Sequence, residues 1–310
     1  MTKTLLPGNR LLSAAIPVYN FSNFLPETLD SLLDQTAAEG VEVLVFDGGS
    51  TDNTQSIVTG YMKRYSYLRY VKALKKGGID FDMARCVELV GAQYCWLFSG
   101  DDVMQPYAIK EVLKALTQWR PDLLLLRHNE CHFNMSVIKD WPVLNIVEDK
   151  LFLLNDDKDR RQYLEAALTS EAFFSFMGGL VVKRSTWFRE RLDPAFVGSN
   201  WAHIGRLWSL SNSPFKLGYL HQVMLNRRGG NDSFSNQGML TRLEIQISGL
   251  LGVIQALYDP RSIEMQHLKR VVKGEVEPNW TNAVREDLKN RNAPPEQFEK
   301  LDQMLERLKD

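Results

Sequence analysis

Two hydrophobic runs in this chain each close on an acidic, glycine-containing turn. Val43-Leu44-Val45-Phe46 leads into Asp47-Gly48-Gly49-Ser50-Thr51-Asp52, and Tyr94-Cys95-Trp96-Leu97-Phe98 leads into Ser99-Gly100-Asp101-Asp102. A short apolar run bounded by such a turn reads as a buried parallel strand. Ligands of open α/β sheets bind beyond the carboxyl ends of these strands. Carboxylates beside small residues there suit a hydroxylated molecule, a metal ion, or both. The neighbouring acids Asp101 and Asp102 repel each other unless a cation compensates. A hard divalent ion, Mg²⁺ or Mn²⁺, takes one or two carboxylates and completes its shell with phosphate oxygens and water. That role falls mainly to Asp101; Asp102 is read as the cap of the helix beginning near Gln105. Asp52 is read as a helix cap as well.

Two further segments carry polar groups suited to a ligand. Pro17-Val18-Tyr19-Asn20 closes the first strand, where amides and side chains can meet a nucleotide, or simply turn the chain. Arg227-Arg228-Gly229-Gly230-Asn231-Asp232-Ser233 sets two guanidinium groups beside a glycine pair. Such a loop can close on a diphosphate; alone it reads equally as an exposed basic turn. The first strand is followed by no Gly-x-Gly-x-x-Gly, and no Gly-x-x-x-x-Gly-Lys-Ser/Thr loop occurs, which argues against a Rossmann dinucleotide site and a P-loop NTPase.

The elements that must position these groups alternate. Strands are predicted at Leu11 to Pro17, Val41 to Phe46, Tyr67 to Val71, Tyr94 to Phe98 and Leu123 to Leu126. Helices lie between them: one over Leu25 to Gln35, one carrying Ile57, Val58, Tyr61 and Met62, one capped by Asp80 and running through Met83, Val87 and Val90, and one from Pro106 to Trp119. Repeated βα units imply a doubly wound, mainly parallel α/β sheet. Val137 to Asp157 reads as loops and short strands, Arg160 to Leu168 as a helix, Phe173 to Val182 as a returning strand, and Trp201 to Leu210 as a helix. Phe215 to Leu225 is strand-like. Leu240 to Tyr258, Ile263 to Val272 and Glu296 to Leu308 read as helices. A main domain over 1–240 is expected, with a donor half at about 10–125 and an acceptor half at about 126–240, and a helical extension over 241–310.

The 310 residues carry 44% hydrophobic and 24% charged side chains and a net charge of -1, a soluble globular composition that does not point to nucleic acid. Cys86, Cys95 and Cys131 form no metal-ligand spacing, and with no secretory signal they point to a reducing cytosol. No apolar run approaches the ~20 residues needed to span a bilayer.

In this order and spacing, Ile16-Pro17-Val18-Tyr19-Asn20, Phe46 through Asp52 and Ser99-Gly100-Asp101-Asp102 resemble family 2 glycosyltransferases of the GT-A fold, over roughly residues 10 to 235. Gly77-Gly78-Ile79-Asp80 through Arg85-Cys86, with Trp96 through Asp102, is similar to the bacterial subgroup that includes abequosyltransferases, which build O-antigen repeat units from nucleotide-activated deoxysugars. The resemblance implies an inverting hexosyl- or deoxyhexosyltransferase. It would use a nucleotide-sugar donor and a glycan or lipid-linked saccharide acceptor.

Donor contacts are then expected from Pro17, Tyr19, Asn20, Asp47, Gly48, Ser50, Asp80, Arg85, Gly100, Asp101, Arg227 and Arg228, with a divalent metal (Mn or Mg) on Asp101. Two departures stand out. Gly48 occupies the place of a second acid in the second motif, and Ser99 that of the first Asp in the third. The Glu-Asp pair that opens the family's base helix is replaced by Ser199-Asn200-Trp201-Ala202-His203, which makes His203 the nearest candidate base. His203 reads equally as a buried helix histidine. Asp193 and Glu171 are its reserves, the latter beside an aromatic segment that could line the acceptor pocket or simply pack the core. Leu250, Leu251, Ile254 and Leu257 suit a cover on the acceptor side, a homo-oligomer contact, or peripheral attachment at the inner face of the cell membrane. Two competing readings are a nucleotidyltransferase making a nucleotide-sugar, which would need a basic glycine-rich loop after the first strand, and a non-catalytic glycan- or nucleotide-binding module.

Overall fold

Every residue of Leu12–Val18 (β1), Glu42–Asp47 (β2) and Tyr94–Leu97 (β4) is buried, the mark of parallel strands covered on both faces. With Leu68–Lys72 (β3) they form an all-parallel block of a ten-stranded sheet. The structure, a computed structural model, describes residues 10–231, 238–276 and 278–309. Two of the polar groups sunk into this region satisfy each other: Ser13 Oγ donates to Glu42 at 2.9 Å, and Glu42 pairs with Arg69 at 2.6 Å.

The connecting helices are Leu25–Ala38 (α1), Thr54–Met62 (α2) and Ile79–Leu89 (α3). After β4 come the two-residue strand Val103–Met104 (β5) and the helix Ala108–Trp119 (α4). The expected apolar stripes face the sheet, with Leu29 and Leu32 of α1 and Ile109 and Val112 of α4 fully buried on one side. Asp80 does not cap α3. That N-cap is Gly78, without a side-chain bond.

The second half adds Leu123–Cys131 (β6), Val137–Trp141 (β7), Lys150–Leu153 (β8), Asp157–Ala166 (α5), Leu180–Lys183 (β9), Arg184–Trp187 (α6), Ala202–Trp208 (α7) and Lys216–Arg228 (β10). The strand order is β3-β2-β1-β4-β9-β6-β10-β5, with β7 on β6 and β8 on β10. β9 runs antiparallel between β4 and β6, and β10 runs parallel to β6.

The predicted strand from Phe173 is mostly absent. Ser170–Phe173 and Met177–Gly179 are 3₁₀ turns, and Phe174 has φ 71. Side chains, rather than a neighbouring strand, satisfy the carbonyls of this stretch. Tyr163 Oη donates to Ala172 O, Trp208 Nε1 to Phe173 O at 3.3 Å, and Trp96 Nε1 to Gly178 O at 2.8 Å.

The C-terminal helices are Met239–Glu244 (α8), Leu250–Gln255 (α9), Ile263–Val276 (α10), Asn279–Asn290 (α11) and Pro295–Glu306 (α12). A π-turn over Ile245–Gly249 joins α8 to α9, where Trp201 Nε1 takes the Ile245 carbonyl at 2.7 Å. Leu250, Leu251 and Ile254 are fully buried in one apolar core with Leu207 and Leu268. They are therefore not the surface for a partner or a membrane that the sequence allowed. Among the described residues no helix is long and apolar enough to cross a membrane.

Candidate active site

The loops after β1 and β2 are bolted together by side-chain-to-backbone bonds. Asn20, at φ 59, receives Thr51 N on Oδ1 at 2.8 Å, while its own amide donates to Ser50 Oγ at 2.8 Å. Ser22 N donates to Asp52 at 2.9 Å, and Thr54 N to the other oxygen at 3.0 Å. Burial works against ionisation of Asp52, yet the bonds from Thr54 and Ser22 outweigh it and hold the carboxyl down at about 2. Asp47 is fully buried. Its Oδ1 accepts from Gly49 N at 3.0 Å and Ser50 N at 2.6 Å, and its Oδ2 accepts from Tyr70 Oη. Asp47 thus shapes the loop as a nest of amides around itself. Lys76 Nζ lies 4.1 Å from the centre of the Tyr19 ring and forms a lip beside that loop.

The turn after β4 sits against the same corner. A Cβ on Gly100 would come within 2.7 Å of Val18 Cγ1, so only glycine lets the turn lie under the end of β1. Asp101 accepts from Ser99 Oγ on one oxygen and from Asn231 Nδ2 at 2.8 Å on the other, and is 8% exposed. Asp102 does not cap α4. Its Oδ1 accepts from Arg228 N at 2.9 Å, its backbone oxygen accepts from Thr28 Oγ1 at 2.8 Å, and Oδ2 is buried without a partner. Burial, then the charge of Asp101, push Asp102 up to about 8. Three oxygen donors (Asp101, Ser99 and Asn231) beside an orphaned carboxylate oxygen fit a hard divalent cation that shares its shell with a diphosphate. The described residues contain no cluster of three His, Cys, Asp or Glu.

Arg227 and Arg228 end β10 instead of opening a loop, and Asp232 and Ser233 lie outside the described residues. The two guanidinium groups differ. Arg228 is locked: its side chain donates to Asp101 O at 2.9 Å, to Phe133 O and to Glu27, and it is 8% exposed. With three of its five N–H donors held by the fold, Arg228 is a brace under the acidic turn. Arg227 is one-third exposed, pairs with Glu130 at 3.1 Å, and lies 5.4 Å from the centre of the Phe176 ring. Its positive charge, like that of His128, opposes the rise of the Asp102 pKa, so both groups face the acidic turn.

Two other expectations, for His203 and Asp80, are corrected. His203 is 3% exposed, its Nε2 lies on Phe174 O at 2.9 Å, and its Nδ1 is buried without a partner. Burial lowers its pKa. It is a core histidine closing the 3₁₀ segment. Asp80 receives Gly198 N at 2.8 Å, Asn200 N at 3.2 Å and Ala202 N at 3.1 Å, so it caps the start of α7 from another helix. Arg85 is half-exposed, pairs with Glu88 at 2.6 Å and lines a cavity of about 520 Å³ with Phe81, Phe188 and Arg206. The reserve Asp193 is exposed and caps Ala195 N at 2.9 Å.

The sequence did not single out His128. Its Nε2 lies 2.9 and 3.0 Å from the two oxygens of Glu171, and Nδ1 lies 3.1 Å from Asn129 O. Both ring nitrogens meet acceptors, an arrangement that favours the imidazolium. Burial disfavours that charge, but Glu171 outweighs burial and raises the pKa. Phe176 packs 4.7 Å from the His128 ring, and Trp141 stacks on it at 6.2 Å. No local motif marks this pair, because its members are 43 positions apart. The nearest sequence signal is the reserve place given to Glu171.

An open α/β sheet with a polar turn after β1 and acidic turns after β2 and β4 defines a GT-A-like enzyme. The chain belongs to glycosyl transferase family 2, whose family model matches residues 13–167, and it is a glycosyltransferase. It is 27% identical over 255 residues to the abequosyltransferase RfbV of Salmonella typhimurium, covering 80% of this chain and 75% of that protein. A chondroitin synthase of Pasteurella multocida is 33% identical over 106 residues, 34% of this chain and 11% of that one. Residues 1–349 of Staphylococcus aureus TarS, solved with UDP-GlcNAc, share the fold at TM-score 0.61 and 15% identity over 95% of this chain and 83% of that one. The mannosyltransferase PcManGT of Pyrobaculum calidifontis, solved with GDP-Man and Mn²⁺, does so at TM-score 0.57 and 12% identity over 97% and 87%.

Proposed function

We propose that this protein transfers a sugar, with inversion, from a nucleoside-diphosphate sugar to a hydroxyl of a glycan or lipid-linked oligosaccharide in the synthesis of an O-antigen-like surface polysaccharide. One observation carries the reading: three loops with hydroxyl, amide and carboxylate groups converge beyond the carboxyl ends of adjacent parallel strands β1, β2 and β4. The structural likeness to proteins solved with UDP-GlcNAc and GDP-Man supports the donor class. The likeness to an abequosyltransferase supports the polysaccharide.

In this reading Pro17, Tyr19, Asn20, Asp47, Gly48 and Ser50 form the nucleoside wall, with Gly100 and Asp101 beside the diphosphate and Arg227 opposite. Asp101, Ser99 and Asn231 would hold a divalent ion, whose charge would stabilise the departing nucleoside diphosphate. Glu171 takes the place first given to His203. Its carboxylate accepts the acceptor proton as the acceptor oxygen bonds to the anomeric carbon and the bond from that carbon to the diphosphate breaks. His128 holds Glu171 in place, and Phe176 and Trp141 offer aromatic faces to the acceptor sugar. The enzyme would work in the cytoplasm or against the inner face of the membrane.

The test is sugar release or transfer from nucleoside-diphosphate sugars. Loss of turnover in Asp101→Ala supports the reading. Pyrophosphate release from a nucleoside triphosphate would favour a nucleotidyltransferase instead.

A further inference from the structure

Asp82 stands on the first turn of α3 and faces the acidic loop that closes β2. The residue is 6% exposed, and its carboxylate accepts no hydrogen bond within the described residues. Its oxygens are not sealed away like those of the fully buried orphan atoms elsewhere in the chain. A nearly buried acceptor without a donor costs free energy and calls for an explanation. Burial, then the charge of Asp47, push this carboxyl up to about 6, with Lys76 opposing.

The loops make room for this side chain. A Cβ on Gly48 would lie 2.5 Å from Asp82 Oδ2, and one on Gly77 would lie 3.4 Å from Oδ1. Gly48 is the position at which the resembled motif carries its second acid; here the carboxylate arrives from α3 instead. Its neighbour Asp47 has both oxygens taken by Gly49, Ser50 and Tyr70. Asp82 is therefore the carboxylate in this corner with lone pairs left open. Ionised, it can only accept.

We infer that Asp82 is a specificity-determining residue that accepts a hydrogen bond from the nucleoside half of the donor, either a base N–H or a ribose hydroxyl. This rests on the donor-site reading above. A bond to a charged acceptor at such a site discriminates strongly, because a nucleoside without the matching donor leaves the carboxylate unpaired.

The experiment is calorimetric titration of the full chain with UDP, CDP, GDP, ADP, the 2′- and 3′-deoxy forms of the tightest binder, and inorganic pyrophosphate, each with Mn²⁺. Asp82→Asn is expected to weaken the tightest nucleotide by about 10- to 100-fold while leaving pyrophosphate unchanged. A changed ranking of the bases identifies a base N–H as the partner. A deoxy form that binds wild type as weakly as the parent nucleotide binds Asp82→Asn identifies the ribose. Gly48→Ala keeps the carboxylate but crowds it, and should reproduce the nucleotide-selective loss.

Asp82→Asn removes one of two repelling carboxylates and should melt no lower than wild type. Unchanged nucleotide affinities, equal weakening of nucleotides and pyrophosphate, or a lower melting temperature with loss of all ligands would overturn the inference. Wild-type protein that binds none of the nucleotides overturns the donor-site reading and this inference with it.

Discussion

The two halves of the sheet place their charged groups by different means. Around β1 and β2, acids are satisfied mostly by nearby backbone: Asp47 by amides two and three positions on, and Asp52 by Thr54 N two positions on. Around β6 and β10, partners come from far away: Glu171 meets His128 across 43 positions, Ser170 N meets Glu275 across 105, and Arg228 N meets Asp102 across 126. The β1–β2 corner is thus held largely by short-range bonds, whereas the β6–β10 region depends on partners from across the chain. The first kind of site tolerates change in the rest of the protein. The second couples chemistry to global packing.

Catalysis gives the sharpest way to break this comparison. Glu171→Gln should lower kcat by about 100- to 10,000-fold, the range of a lost general base, with nucleotide affinity unchanged. Steady-state rates alongside donor titration check it, and an unchanged kcat would return Glu171 to a packing role. Stability comes next. Arg228→Met should lower the unfolding free energy by about 3 kcal/mol, because Asp101 O and Phe133 O lose a buried donor. Urea unfolding measures this. A variant as stable as wild type that loses diphosphate affinity would restore Arg228 to the ligand.

The smallest effects carry opposite signs in the two halves. Asp52 is held at about 2, below the unfolded value of about 3.9, so its contribution is present above pH 4 and is lost as the pH falls toward 2. Glu275 is raised to about 7, chiefly by burial against the bonds from Ser170 and Gln246. Its protonated form favours the fold, and that advantage is lost as the pH rises through 7. Melting curves should therefore show Asp52→Asn losing its deficit below pH 3. Glu275→Gln should gain about 2 °C on wild type at pH 8 and nothing below about pH 4.

The same contrast explains what the sequence could show. The βα units and the two acidic turns follow from local patterns, and the parallel strands β1 to β4 lie where the apolar runs predict. The brace formed by Arg228, the capping of α7 by Asp80 and the burial of His203 depend on contacts across long stretches of chain. No local pattern encodes them. Phe173 to Val182 misled for a related reason: its apolar residues read as a strand, whereas its carbonyls are held by Tyr163, Trp208 and Trp96 from elsewhere in the fold. Asp82 was hidden by its neighbour Asp80, which stands in the same helical turn and serves the fold.

The central claim is that the convergent loops form a nucleotide-sugar donor site organised by Asp101. Thermal melting with UDP, CDP, GDP and dTDP, each with and without Mn²⁺, tests it most directly. One diphosphate at 100 times its Kd should add about 2.7 kcal/mol of stability in the presence of metal, and Asp101→Ala should abolish that gain. No shift with any diphosphate, or the same shift in Asp101→Ala, would contradict the account.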